Sequence, residues 1–243
     1  MAINMNGFLY GAVLQWKLDL RNKGVLLTYY VVPLLFFAFM GGIFTSINQE
    51  AKATLIQSMT IFGVSMGAIL GAPVPLSELY GSEIKKAYKV GGIPVWVSAA
   101  NNFLSAFLHL LLMSLVIYLA APLAFQAAVP KDTGAYFASL ALLIAVCLSV
   151  GTALGLYFRG SSRLTMLSQL VFLPSLMLSG IMFPTELLPK ALAQAGKAFP
   201  ATWGFRMMTT GEGVSTALLA MSGIFAFMAV LIAFRLQRLR CEK

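Results

Sequence analysis

The residues able to do chemistry are few, and their placement excludes most reaction types. The single imidazole, His109, sits in a long uncharged stretch. Ion- and proton-coupled carriers set Asp, Glu or His near the bilayer midplane, so one isolated histidine reads as a hydrogen-bonded packing residue. Paired carboxylates, an HExxH helix and a nucleophile with its base are all missing from the apolar stretches. GLYFRGSS has the glycine spacing of a phosphate-binding loop at Gly155 and Gly160, but Ser161 stands where the lysine must be. Cys147 and Cys241 are too far apart in the chain to suggest a disulfide or a metal site. The expectation is a non-enzyme with no catalytic and no metal site, whose nucleotide energy, if any, comes from another chain.

The elements that hold these residues are set by composition. Hydrophobic residues make up 59% and charged residues 10%, with a mean hydropathy of +0.85, too little polar surface for a soluble globule. A bilayer core about 30 Å thick needs about 20 apolar residues per helical span. Uncharged runs of that length are Gly24 to Gln49, Ala53 to Ser77, Thr133 to Phe158, Leu164 to Thr185 and Gly213 to Phe234. A further run, Val90 to Pro130, has breaks at Gly91, Gly92, Pro94, Pro122 and Pro130 and accommodates one helix, Val97 to Ala121. The fold class is therefore all-α, a membrane protein of six transmembrane helices over residues 24–243. Residues 1–23 lack a secretory leader pattern, so the chain should insert and stay.

Twelve of the 17 basic residues fall on the side of the N-terminus, among them Lys17, Arg21, Lys85, Lys86, Lys89, Arg159, Arg163, Arg235 and Arg238. Both termini should then be cytoplasmic, and the net charge of +9 answers to topology and anionic lipid rather than nucleic acid. Before the first span, Leu9, Val13, Trp16 and Leu20 share one helical face and Gln15, Asp19 and Asn22 another. Such an amphipathic helix lies in the interface, with Trp16 at head-group level, either as a simple anchor or as an elbow steering the span that follows.

The second inner loop, SEIKKAYKVGGIP, reads as a short helix over about 82–92. Ser82 can cap it, Glu83 suits its positive end, and Lys85, Lys86 and Lys89 suit its middle and negative end. Gly91 or Gly92 ends it before Pro94. Ile84 and Tyr88 give one apolar face, which a cytosolic partner could grip; the alternative is a solvated basic loop on anionic lipid. The stretch LSGIMFPTELLP, Leu178 to Pro189, is too apolar for a surface loop, yet Gly180, Pro184 and Pro189 break it. Glu186 and Lys190 sit four apart, as on one short helix. Gly196 to Pro200 turns the chain, and a second short helix would carry Trp203, Phe205, Met207 and Met208. Gly63, Gly67, Gly71, Gly151 and Gly155, spaced by four, allow close helix packing.

Read together, these parts resemble the permease subunit of ABC-2 type transporters. The resemblance rests on the amphipathic start, Glu83 with Lys85, Lys86 and Pro94, and then Leu178 to Gly180, Phe183–Pro184, Leu188–Pro189 and Phe199–Pro200, in order along the chain. It implies a coupling helix gripped by ATP-binding cassette subunits, which bind ATP and Mg themselves, and a second permease protomer forming a homo- or heterodimer. It also implies re-entrant outer helices at about 183–212 that close the export path. Gly180, Met182, Phe183, Pro184, Glu186, Pro189 and Pro200 would be its outer gate, or a passive cap. The implied protein is an exporter in a bacterial plasma membrane. Its uncharged interior fits a hydrophobic or amphipathic substrate: a drug, a peptide antibiotic or a lipid, which would bring drug or antibiotic resistance with it. Alternatives from other classes are an ATP-independent carrier or channel, and a non-transporting scaffold or sensor.

Overall fold

The computed structural model describes residues 5–47, 49–81, 94–183, 185–209 and 213–241, and among these it is helical without strands. In chain order the helices are α1 (Met5–Arg21), α2 (Lys23–Ile47), α3 (Leu55–Tyr80), α4 (Val95–Phe125) and α5 (Thr133–Tyr157). They continue as α6 (Ser161–Leu178), α7 (Lys190–Gly196), α8 (Pro200–Thr209) and α9 (Val214–Cys241). Five of them, α2, α3, α4, α5 and α9, are long and apolar enough to cross a membrane, which makes this a multi-pass membrane protein. The run expected as a further span corresponds to α6, which carries Arg163 and Gln169 and lies outside those five.

The bundle is centred on α3. Of its most apolar stretch 78% is buried, against 11% for α9, so α3 is enclosed by protein and α9 lies at the rim. Small residues permit this. On α5, a Cβ at Gly151 would overlap the Ala68 carbonyl oxygen and one at Gly155 would come 2.7 Å from that of Pro73. The two glycines let α5 lie directly on the α3 backbone, the close approach that stabilises helix pairs where burial from lipid gains nothing. Both α2 and α3 contain one π-helical stretch, Leu27–Val31 and Gly67–Gly71, each just before a proline, Pro33 or Pro73. Proline offers no N–H and its ring crowds the carbonyl four residues earlier. The wider turn re-pairs the backbone, as in the 2.9 Å bond from Ala72 N–H to the Gly67 carbonyl.

One expected boundary is corrected. Helix α4 runs through Pro122 to Phe125 and stops at Gln126, whose φ of 54° is left-handed. Pro122 sits in the last turn, where it disturbs little that follows, and the Gln126 N–H returns to the Pro122 carbonyl at 3.1 Å. Helix α6 ends at Leu178, within its uncharged run to Thr185, where Gly180, expected as a break, takes a φ of 90° and turns the chain away.

Candidate functional site

Two regions bring the sequence-selected residues into defined geometry. The first follows α6. Gly180 turns the chain beneath the Phe205 ring and Thr185, which a Cβ there would meet at 3.4 and 3.0 Å. Ile181 is buried, Met182 partly so, and Phe183 is 50% exposed. Pro184 lies outside the described residues, as does the Glu186 side chain. Thr185–Leu187 forms a 3-10 turn, and Pro189, extended and exposed, precedes α7. Glu186 and Lys190 therefore do not share a helix as their spacing suggested. With its nitrogen tied into the ring, Pro189 can open a helix but cannot continue one from Glu186.

Helix α7 rests on the end of α6 through Gly196, where a Cβ would lie 2.6 Å from the Leu178 carbonyl oxygen. The chain then turns and α8 enters the bundle against α5, with Pro200, Ala201, Thr202, Trp203, Gly204 and Met208 buried. Its turn is closed by its own side chains: the Thr202 hydroxyl donates to the Gly196 carbonyl at 2.6 Å, and Trp203 Nε1–H to that of Lys197 at 2.8 Å. Gly204 faces Leu143, and the Arg206 guanidinium lies 5.6 Å from the Trp203 ring centre. Backbone groups that a turn leaves open are thus paired locally, which is the condition for irregular chain at membrane depth.

The second region is the seam between α1 and α4. Leu9, Val13 and Leu20 point outward, each about half exposed, while Asp19 is buried at 4% exposure. Asp19 accepts a hydrogen bond from the Ser105 hydroxyl at 2.6 Å and another from the Gln15 amide at 2.9 Å. Burial holds its carboxyl above the ordinary value of 3.8, against the pull of these two bonds. Trp16, expected on the same face as Leu9, Val13 and Leu20, turns toward α4 instead. Its ring stacks on His109 with centres 4.0 Å apart and planes 2° from parallel. His109 is fully buried and pairs its Nδ1 with the Tyr30 hydroxyl at 2.8 Å. A Cβ at Gly11 would come 2.5 Å from the Asn101 amide, so the N-terminal half of α1 is also held close.

Sequence reasoning missed this seam. The signal was present in NNFLSAFLH, where Asn101, Asn102, Ser105 and His109 form a polar stripe at helical spacing within a span. That stripe needed partners, which come from three helices: Asp19 and Trp16 of α1 for Ser105 and His109, Tyr30 of α2 for His109, and the Ala72 carbonyl of α3 for Asn102. The residues read as a coupling helix, Ser82, Glu83, Ile84, Lys85, Lys86, Tyr88 and Lys89, lie outside the described residues. The hydrogen bonds and ring contacts of both regions, from Thr202, Trp203 and Arg206 in the first and from Asp19, Ser105, Trp16 and His109 in the second, fix one helix against another.

In comparisons with known proteins, the family described as ABC-2 type transporter matches residues 8–212, which take in most of α1 and all of α2 to α8. No curated protein matches the chain.

Proposed function

This chain belongs to the ABC-2 type transporter family, and on that premise we propose that it is the membrane half of an ATP-driven exporter of a hydrophobic or amphipathic molecule. The family match over 8–212 carries the reading, since it makes the chain a permease component and not itself an ATPase. Cytosolic ATP-binding subunits hold ATP and Mg and grip the 82–92 segment through Ile84 and Tyr88. The protein sits in a bacterial plasma membrane with both termini in the cytoplasm. Helix α1 is the elbow at the interface, α6 completes six spans, and α7–α8 is a re-entrant hairpin at the outer end.

A second protomer packs along α6. In support, α6 buries Leu164, Ser168 and Phe172 on one side while Gln169, in its middle, is exposed on the other. A primary amide facing lipid is costly, whereas one facing a partner helix or a water-filled path is satisfied. The hairpin lies across the end of such a path, and Met182, Met207 and Met208 offer flexible, polarisable side chains for repacking around varied cargo.

The test is transport by the chain reconstituted with its ATP-binding subunit in vesicles. An apolar fluorescent dye should move only when ATP is hydrolysed, and I84D/Y88D should weaken subunit association and uncouple hydrolysis from transport. Movement that follows an ion gradient and ignores ATP would instead make the chain a secondary carrier.

A further inference from the structure

A cavity of about 370 Å³ lies between α5, α9 and the turn that leads into α8. One helical stripe of α5, from Val150 to Tyr157 and Phe158, forms one wall, and Ile224 to Leu231 of α9 forms the other. Phe199 and Pro200 line the end nearest that turn. The lining is apolar almost throughout, so water would find few partners there and hydrocarbon is the natural filling. The volume falls at the lower end of ligand-sized sites, about 300–1,000 Å³.

The other end has a different character. Tyr157 donates its hydroxyl to the Leu231 carbonyl at 3.1 Å, and the Arg235 guanidinium lies 5.7 Å from the Tyr157 ring centre. Arg235 also donates to the Leu156 carbonyl at 3.1 Å, which fixes it beside the mouth. Arg238 follows nearly one turn later on α9, over the Phe234 ring at 4.4 Å, and Arg159 stands two residues beyond Tyr157. The site is therefore an apolar slot with the Arg235 guanidinium held beside the Tyr157 end, Arg238 nearly one turn further along α9 and Arg159 close by in the chain.

We infer that this slot takes one acyl chain of an anionic phospholipid, its head group meeting Arg235, Arg238 and Arg159. An uncharged apolar compound would make no use of the cations, and a zwitterionic lipid would bring its own cation up to them. An anionic lipid satisfies both ends. Because Phe199 and Pro200 belong to the lining, the acyl chain would also pack against the turn that joins α7 to α8. The inference needs only a membrane-embedded chain and stands apart from the ATP-driven reading.

The full chain in phosphatidylcholine nanodiscs, doped with phosphatidylglycerol carrying a photoreactive acyl tail, tests it. Label should concentrate in 150–158 and 224–231, and unlabelled phosphatidylglycerol should displace it better than phosphatidylcholine. Arg235→Gln should reduce that preference about fivefold, the effect of one juxtamembrane cation, and Arg235→Lys should retain most of it. Ala153→Phe should fill the slot and remove the label in protein whose melting is unchanged. Ala198→Leu tests the same from the turn before α8 if A153F lowers the yield. Label spread evenly over outward-facing residues, equal displacement by phosphatidylcholine, or label retained in the filled slot would overturn the inference.

Discussion

The α1–α4 seam and the α7–α8 hairpin solve the same problem, docking a short helix onto a membrane bundle, by opposite means. Helix α1 turns its polar side inward and is held by Asp19 on Ser105 and Trp16 on His109, leaving Leu9, Val13 and Leu20 to the surroundings. Helix α8 buries small and apolar residues against α5 and satisfies its polar groups within its own turn. The difference teaches what specifies position in lipid. Apolar surface gains little by moving from hydrocarbon to protein, so register comes from hydrogen bonds between elements, as at α1, or from close backbone fit, as where Gly196 at the end of α7 meets the Leu178 carbonyl. A seam held by a few side-chain contacts can be unlatched by one substitution, whereas a fit of backbone on backbone tolerates almost none.

The largest effect that sharpens this contrast is expected at Gly196. Its added Cβ would press on the Leu178 carbonyl, part of a helix backbone that cannot move aside cheaply. Gly196→Ala should cost about 1–3 kcal/mol, seen as a lower melting temperature in detergent and as hairpin cysteines that label faster. Next comes Thr202→Val, which removes the 2.6 Å hydroxyl donor from the Gly196 carbonyl, leaves it the Phe199 N–H at 3.1 Å, and should cost about 1 kcal/mol. Hydrogen exchange should rise in 196–204 and not in α1.

On the other side of the comparison, Trp16→Ala removes the stack on His109, worth about 1 kcal/mol beyond area alone. Protease cleavage near Arg21 and Lys23 should quicken while the rest of the bundle melts unchanged. The smallest effect is a pH dependence. A carboxyl whose folded pKa is raised binds its proton more tightly when docked than when free. The docking of α1 should therefore be strongest below the unbound value of 3.8 and weaken as pH rises through the folded one. Asp19→Asn should flatten that dependence in a hydrogen-exchange series across the acidic range.

Much of the fold could be read from the chain because the bilayer imposes so simple a rule. The uncharged runs near 24–49, 53–77 and 133–158 reappear as Lys23–Ile47, Leu55–Tyr80 and Thr133–Tyr157. The rule is weaker at ends. Pro122 was read as a stop, yet a proline in the final turn forfeits only a bond that fraying would have loosened. Spacing alone placed Glu186 and Lys190 on one helix, and Pro189 between them overrides it.

The α1 seam was harder because amphipathicity gives the two faces of a helix but not which face meets the protein. In water the apolar face turns inward. Beside lipid, the polar stripe Asn101, Asn102, Ser105 and His109 on α4 needs polar partners more than Leu9 or Val13 needs cover. The hairpin's positions were visible as Gly180, Pro189, Gly196 and Pro200. Their mutual contacts, Gly180 with Phe205 and Gly196 with Leu178, depend on how the chain returns on itself and leave no local mark.

That the hairpin closes an ATP-driven export path is tested most directly by tethering it. With Cys147 and Cys241 replaced by alanine, cysteines at Thr185 and Phe205, which meet around Gly180, can be joined by a short reducible cross-linker. In vesicles that also contain the ATP-binding subunit, the tether should stop ATP-dependent dye transport while leaving basal ATP hydrolysis, and reduction should restore transport. Full transport by completely tethered protein would contradict the account and leave the hairpin a passive cap.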